Sequence, residues 1–483
     1  MHVGCFLLTF LNLKTSEAAS AGGRHVVPLS IQRVPVQEED ESISFKSLYF
    51  GSVAVGVPEQ RFAVVFDTGS GHVILPSKEC KSETCLIHNR YNRHASEEAA
   101  DVDVDGTVVK PGAARDQITV AFGTGEVTGQ FVEDRLCLGS LGGPEAPTSA
   151  AATAAAAAAY TQPILLVQSG EAELEIGQSK KAKKPQPSAN ERALGTANST
   201  KGATNCVDIR MVTATEMSEE PFHAFAFDGV LGLGLDTLAL APEFSFFGTM
   251  TTQVSLDHPS FGVFLADGDD ELSEISFGGH SPDKVKSPLT FAPVASPEQG
   301  YWQVQIKALR IGNRTLDYCD DGQCHAVVDT GTSLLAVPRD FVDELQKELQ
   351  GPLRDPPRSE GRGIDCRYAE GLPLIFEVEG MSITLLPGEY AREAVQMEGA
   401  KEPSLPGVGS HATCQPTMMP LELPEPLGPK LFIWGEPVLR KYYTVYDWEK
   451  KQIGFGLAKH AAEQVAAVTE EAKPLPARGL LFS

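Results

Sequence analysis

The sequence contains one short motif twice, and each copy follows an apolar segment. Asp67-Thr68-Gly69-Ser70 comes after residues 62–66, and Asp329-Thr330-Gly331-Thr332-Ser333 comes after residues 326–328. Each copy predicts a strand that ends in an aspartate, on a turn that glycine allows the backbone to make. For a single copy, an aspartate that merely closes a turn is the better interpretation. Two matched copies instead predict two carboxyl groups that face each other.

Two such carboxyl groups cannot easily both be ionised. At a separation of about 4 Å and an effective dielectric constant near 20, their repulsion is about 4 kcal/mol. That energy corresponds to about 3 pKa units. One carboxyl group then stays protonated while the other is charged, so the pair can donate one proton and accept another.

The composition is that of an acidic globular protein. The chain has 483 residues, with 64 Asp and Glu against 40 Lys and Arg and a net charge of −24. This length allows one large bilobal core or two to three ordinary domains. The negative charge argues against nucleic acid or an anionic membrane as a partner. It is compatible with an acidic compartment, where carboxylates are partly neutralised.

The N-terminus and the cysteines indicate the secretory pathway. Residues 3–13 are apolar and precede Ala19-Ser20-Ala21, which predicts a signal peptide over residues 1–21. A misassigned or buried N-terminus is the alternative. No apolar run is long enough to span a bilayer. Without Cys5, eight of the nine cysteines remain, and an even number favours disulfides. The absence of Cys-x-x-Cys motifs and clustered histidines argues against a metal site.

The pattern along the chain predicts a mostly β protein. Two strands are expected between residues 47 and 66, and a hairpin with a glycine-rich tip between residues 118 and 139. One amphipathic helix is expected from Pro338 to Leu349. Residues 142–202 contain an alanine run, a lysine cluster and polar low-complexity sequence, which predict a disordered surface insertion. Residues 458–483 are expected to form a frayed tail or a short helix.

Taken together, these motifs resemble those of the pepsin-like aspartic protease family, which includes pepsin and cathepsin D. The resemblance covers residues 49–457 apart from the insertion, and rests on the two aspartate motifs and on five further segments. These are Tyr49-Phe50-Gly51, the flap at Phe122-Gly123-Thr124-Gly125, the apolar run at residues 227–233, residues 300–304 (GYWQV) and residues 442–447 (YYTVYD). The resemblance implies two pseudo-twofold-related β lobes with an active-site cleft between them. We expect an N-terminal lobe over 47–258 after a short segment at 22–46, and a C-terminal lobe over 259–457.

The resemblance also implies roles for individual residues. Asp67 and Asp329 would activate a shared water, with Ser70 and Thr332 bonded to their outer oxygens and Thr68 and Thr330 bonded across the lobes beneath them. The substrate backbone would lie beside the remaining residues of the motifs and the flap, namely Gly69, Phe122, Gly123, Thr124, Gly331 and Ser333. No metal or organic cofactor is implied.

The resemblance implies the disulfides Cys80–Cys85, Cys319–Cys324 and Cys366–Cys414. It does not cover Cys137 and Cys206, which flank the insertion. We infer from that position that they form a fourth disulfide at its base.

Four features depart from the family pattern. Phe122 stands where the flap tyrosine is usual, and Ile74 where its tryptophan partner is usual. Trp434-Gly435-Glu436 replaces the usual Leu-Gly-Asp, which we expect to reshape one side of the cleft. The segment from 22 to 46 is too short and too poor in basic residues to resemble the usual inhibitory prosegment. Finally, the insertion replaces a tight turn.

These observations favour a monomeric aspartic endopeptidase that acts on peptides or proteins at acid pH. Its expected location is the secretory pathway, in a lysosome-like or vacuole-like compartment or outside the cell. A peptide-binding protein without activity is the alternative, which the altered flap favours slightly. Both aspartate motifs are intact, and this favours the enzyme.

Overall fold

The computed structural model describes residues 23–37, 43–122, 125–139, 168, 173–175, 205–268, 271–357, 364–395, 412–423 and 427–461. The predicted signal peptide, the flap-tip residues Gly123 and Thr124, most of the insertion and most of the tail lie outside these residues. Within them, no helix is both long enough and apolar enough to cross a bilayer.

Strands dominate both halves of the chain, as the sequence pattern predicts. The strands of the first half are β1 (His25–Gln37), β2 (Ile43–Val55), β3 (Gln60–Asp67), β4 (Val73–Pro76), β5 (Ala100–Val102), β6 (Gln117–Phe122), β7 (Gly125–Leu138), β8 (Glu173–Glu175), β9 (Cys206–Met217) and β10 (Gly229–Gly232). Those of the second half are β11 (Ser260–Phe264), β12 (Ser273–Phe277), β13 (Thr290–Pro293), β14 (Gln303–Gln305), β15 (Ala308–Ile311), β16 (Arg314–Leu316), β17 (His325–Val328), β18 (Leu335–Pro338), β19 (Leu374–Val378), β20 (Met381–Leu385), β21 (Ala391–Val395), β22 (Ala412–Pro416), β23 (Met418–Leu421), β24 (Leu431–Trp434), β25 (Tyr442–Asp447) and β26 (Gln452–Leu457).

The α-helices are short, and the longest is the one that the sequence predicts. They are α1 (Glu83–Ile87), α2 (Phe246–Gln253), α3 (Arg339–Gln350), α4 (Pro387–Tyr390) and α5 (Glu436–Lys441). Helix α3 buries Phe341, Val342, Leu345 and Leu349. These positions recur at three- and four-residue spacing, so one apolar stripe faces the core.

Strand β1 joins the two halves. Its first part, from His25 to Leu29, pairs with β12 of the second half. The rest pairs with β2 of the first half. The segment at residues 22–46 does not resemble a prosegment in sequence. In the structure it supplies a strand of the largest sheet.

The two halves repeat one strand arrangement around the aspartate motifs. Strand β3 runs parallel to β10, and β10 is antiparallel to β4. In the second half, β17 runs parallel to β24, and β24 is antiparallel to β18. Strands β9 and β23 then extend the two sets, each parallel to its neighbour. This repetition is the pseudo-twofold relation expected of the bilobal pepsin-like β fold.

All four expected disulfides are present. The bonded pairs are Cys80–Cys85, Cys137–Cys206, Cys319–Cys324 and Cys366–Cys414. Cys137 and Cys206 are also register partners at the ends of β7 and β9. The bond inferred from their position beside the insertion is therefore confirmed.

The expectation of a disordered surface insertion is wrong for Gln168, which is buried, and for residues 173–175, which form a strand. Residues 173–175 form β8, which pairs with the edge of β6 at residues 117–119. Gln168 is buried, with 4% of its surface exposed. Pairing with a strand edge satisfies backbone groups that a composition-based argument leaves to solvent.

Candidate active site

The two aspartates of the repeated motif lie at the ends of two strands that belong to different sheets. Asp67 is the last residue of β3, and Asp329 directly follows β17. Neither side chain is exposed. The partner strands hold the motifs in place, because Leu233 N donates to Asp67 O at 2.7 Å and Asp329 N donates to Trp434 O at 3.0 Å.

Each carboxyl group accepts a hydrogen bond from the glycine of its own motif. Gly69 N donates to Asp67 Oδ1 at 2.9 Å, and Gly331 N donates to Asp329 Oδ1 at 3.0 Å. The outer oxygens differ. The Thr332 hydroxyl donates to Asp329 Oδ2. Asp67 Oδ2 and Ser70 Oγ are buried with no hydrogen-bond partner among the described residues, although Ser70 is close enough to lower the pKa of Asp67. The predicted Ser70 contact is thus weaker than its Thr332 counterpart.

Thr68 and Thr330 bind each other's motif beneath the carboxyl groups. Thr68 N donates to Thr330 Oγ1 at 3.0 Å, and Thr330 N donates to Thr68 Oγ1 at 3.1 Å. Each hydroxyl in turn donates to a carbonyl of the opposite strand, at Val328 and Phe66. Four buried hydrogen bonds therefore fix the two loops relative to each other.

The surroundings of the two carboxyl groups shift their pKa values through different contacts. Burial, followed by the negative charge of Asp329, raises the pKa of Asp67 well above its usual range. Burial also raises the pKa of Asp329, but the Thr332 hydroxyl and the contact with Asp67 lower it. The Thr332 hydroxyl therefore stabilises the ionised form of Asp329, whereas Asp67 Oδ2 has no such donor among the described residues.

Phe122, at the end of the first flap strand, packs among apolar side chains. It belongs to the same buried cluster as Ile74. Its ring meets Phe222 edge to face, with centroids 5.8 Å apart. No sequence pattern connects Phe222 with the flap, since the two positions are far apart in the chain.

Gln168 and Tyr301 lie beside the aspartates although neither was predicted as a site residue. Gln168 N donates to Gly69 O at 3.0 Å, and Tyr301 Oη donates to Gln168 O at 2.5 Å. Gln168 also forms an antiparallel bridge with Phe122. The sequence signal available for Tyr301 was the Gly-Tyr-Trp segment. For Gln168 it was the apolar run at residues 163–167, which is unusual in a low-complexity insertion.

The remaining motif residues lie next to the aspartates. Gly331 and Ser333 are buried, and Ser333 Oγ has no hydrogen-bond partner in the described part of the chain.

Trp434 and Glu436, which depart from the family pattern, both have well-defined contacts. The Trp434 ring packs against Phe376, with ring centroids 5.2 Å apart. The carboxylate of Glu436 accepts hydrogen bonds from Tyr49 at 3.1 Å and Arg440 at 3.2 Å.

Comparison with known proteins agrees with this geometry. A family model described as "Eukaryotic aspartyl protease" matches residues 48–162 and 197–458. The chain is 28% identical to vacuolar protease A of Aspergillus fumigatus over 417 residues, which is 85% of this chain and 79% of that protein. It is 28% identical to cathepsin E of Rattus norvegicus over 85% of this chain and 80% of that protein. It is 25% identical to gastricsin of Suncus murinus over 92% of this chain and 89% of that protein. The chain therefore belongs to the eukaryotic aspartyl protease family and is an aspartic endopeptidase.

Proposed function

We propose that the enzyme hydrolyses peptide bonds with a water molecule held between Asp67 and Asp329, and that it works best at acid pH. The observation that supports this most strongly is the pair of fully buried carboxyl groups, each bonded to its own glycine amide. Burial raises the pKa of both groups, so the pair retains a proton that two exposed aspartates would lose.

In the proposed reaction, the ionised Asp329 takes a proton from the water as the water oxygen attacks the scissile carbonyl carbon. Asp67 gives its proton to the carbonyl oxygen, which yields a neutral tetrahedral diol. Asp329 then passes its proton to the amide nitrogen while Asp67 recovers one from a diol hydroxyl. The C–N bond breaks, and the pair returns to its starting protonation state.

The residues around the pair would act by positioning. The reciprocal bonds between Thr68 and Thr330 support the carboxyl groups from below, and Ser70 and Thr332 tune their outer oxygens. The substrate backbone would lie along Gly69, Gly331, Ser333 and the flap, including Phe122, Gly123 and Thr124. The polar backbone of these segments suits an extended peptide.

We also propose that the enzyme acts as a monomer in an acidic compartment of the secretory pathway or outside the cell. The name of one relative, vacuolar protease A, supports such a compartment. A net charge of −24 is compatible with it and disfavours nucleic acid as a partner.

One assay tests the central proposal. The protein should cleave a denatured protein substrate at acid pH, and a statine-type transition-state analogue should block the cleavage. An analogue-insensitive activity, or an optimum at or above pH 8, would contradict a singly protonated pair.

The pH profile of kcat/KM should be bell-shaped, with limbs that can be moved separately. Activity should fall at low pH as Asp329 is protonated, and at high pH as the pair loses its proton. Thr332→Val removes a hydrogen bond that stabilises ionised Asp329, so the acid limb should move to higher pH. A hydrogen bond to a charged group contributes about 1.5–3 kcal/mol, which corresponds to a shift of about 1–2 units.

Ser70→Ala is the matched control for Thr332→Val, since Ser70 Oγ has no well-formed bond to Asp67 in the described structure. It should leave the acid limb in place. Equal movement of that limb in the two variants would contradict the assignment of Asp329 as the base.

A further inference from the structure

Gln168 makes contacts with three different parts of the cleft. Its backbone N–H donates to Gly69 O of the first aspartate motif at 3.0 Å. Its carbonyl accepts from Tyr301 Oη of the second half at 2.5 Å. It also forms an antiparallel bridge with Phe122 at the end of the flap strand. Gln168 thus contacts both halves of the molecule and the flap.

This position is beside the reacting groups. Gly69 is two residues from Asp67 and donates its own amide proton to that carboxyl group. Burial, together with the charges of Asp67 and Asp329, raises the pKa of Tyr301, which places its hydroxyl within the field of both aspartates. The Gln168 backbone is therefore bonded directly to a residue of the Asp67 motif and to a tyrosine close to both aspartates.

The contacts are those by which proteins capture an extended peptide. Such a peptide donates its N–H to one wall, accepts at its carbonyl from the other, and pairs with a strand edge. The Gln168 side chain is also enclosed, since its Oε1 and the Nδ1 of His72 are both buried and have no hydrogen-bond partner among the described residues. Burial lowers the pKa of His72, and the Gln168 side chain partly offsets that lowering.

A second contact fixes the same segment to the outer edge of the flap strand. Five residues beyond Gln168, Glu173 begins β8, which pairs antiparallel with β6 at residues 117–119. The bridge of Gln168 to Phe122 has the same antiparallel sense. The family match stops at residue 162 and resumes at residue 197, so both contacts come from a segment that the family pattern does not contain.

We propose that this segment, which we call the cleft strap (Gln168 and residues 173–175), is an intramolecular competitor of the substrate. The proposal rests on the proposed function, in which the cleft between Asp67 and Asp329 binds the substrate. Substrate and strap use the same Gly69 carbonyl and Tyr301 hydroxyl, so only molecules with a displaced strap bind substrate. The apparent KM then rises in inverse proportion to the displaced fraction, whereas kcat at saturating substrate is unchanged.

Gln168→Pro in the full-length chain tests the competition. Proline has no N–H for Gly69 O and disfavours strand pairing. Loss of one neutral hydrogen bond changes an equilibrium about two- to tenfold. We therefore expect KM to fall by about that factor, with kcat within about twofold of wild type. A statine-type peptide should bind more tightly by the same factor in calorimetry.

Gln168→Ala is the matched control, because it removes the side chain and keeps the backbone N–H. Its KM should stay closer to that of wild type than the KM of Gln168→Pro. A Gln168→Pro variant with unchanged KM and unchanged analogue affinity would overturn the proposal. Cutting of the strap at Gln168 by wild-type enzyme, but not by Asp329→Asn, would also overturn it, since the strap would then be a substrate.

The same measurements distinguish failure of the strap from failure of the proposed function. If wild type and both Gln168 variants bind the analogue and cleave equally well, only the strap is wrong. If none of them binds the analogue or cleaves, the cleft is not the substrate site, and both proposals fall.

Discussion

Asp67→Asn or Asp329→Asn should reduce kcat/KM to the level of the double variant. An amide can neither take a proton from water nor share one with the opposite carboxyl group. Because the pair acts as a unit, either single loss should have nearly the full effect, a decrease of at least about 10⁴-fold. Steady-state kinetics at the acid optimum, with each protein matched for folded concentration, measures it.

Both variants should fold as well as wild type. A carboxyl group whose pKa is raised on folding favours the folded state most at low pH, and this contribution is lost as pH rises through the raised pKa. Asparagine does not titrate. Tm of the variants should therefore equal or exceed that of wild type, with a difference that grows toward neutral pH.

Asp228→Asn provides a control for the loss of a buried carboxyl group elsewhere. Burial raises the pKa of Asp228 to about 6, and its oxygens accept bonds from Ala63 N and Asn89 N. Backbone N–H groups donate to both oxygens of Asp228, and asparagine has only one acceptor oxygen, so this variant should lose stability while its kcat per folded molecule stays close to that of wild type. Turnover of Asp67→Asn or Asp329→Asn clearly above the double variant would contradict the two-aspartate mechanism.

Gly435→Ala should destabilise the protein and remove most of its activity. A Cβ atom at this position would lie 2.2 Å from Thr332 O and 2.6 Å from Leu334 O. Both contacts are with backbone, so no side-chain rotation relieves them. The added methyl group must instead push the loop that carries Thr332 and Asp329. Overpacking of this kind costs about 1–3 kcal/mol.

Displacement of the loop that carries Thr332 and Asp329 would also misplace the carboxyl group of Asp329. A misplacement of about 1 Å can reduce a rate about 10²-fold. Urea denaturation and kcat/KM together measure the two effects. Gly351→Ala is the matched control, because its Cβ would meet only Lys347 O, at 3.8 Å, and its backbone is helical. Equal behaviour of the two variants would show that the Asp329 loop tolerates the displacement.

The sequence was most informative where chemistry and local pattern coincide. Two aspartates after apolar strands predicted the buried pair, and Cys137 and Cys206 beside the insertion predicted its disulfide. Contacts between distant segments were not predictable in this way. Phe222 packs on Phe122, and Gln168 lies between Gly69 and Tyr301, because the tertiary fold brings together positions that no periodicity connects. Composition led to a wrong prediction for part of the insertion. The alanine and lysine runs predict disorder throughout, but residues 173–175 pair with β6.

The Cys137–Cys206 bond closes a stretch of chain with a sequence separation of 69 residues. The same two residues are register partners in the ladder of β7 and β9. The ends of the stretch are therefore held together by strand pairing as well as by the disulfide. A main-chain break inside it would produce two polypeptides that still form one covalent molecule. For the same reason, the stretch can lengthen or shorten during evolution without any change in the spacing of the strands that border it. The first lobe can thus acquire a new sequence element there while the aspartate loops keep their geometry.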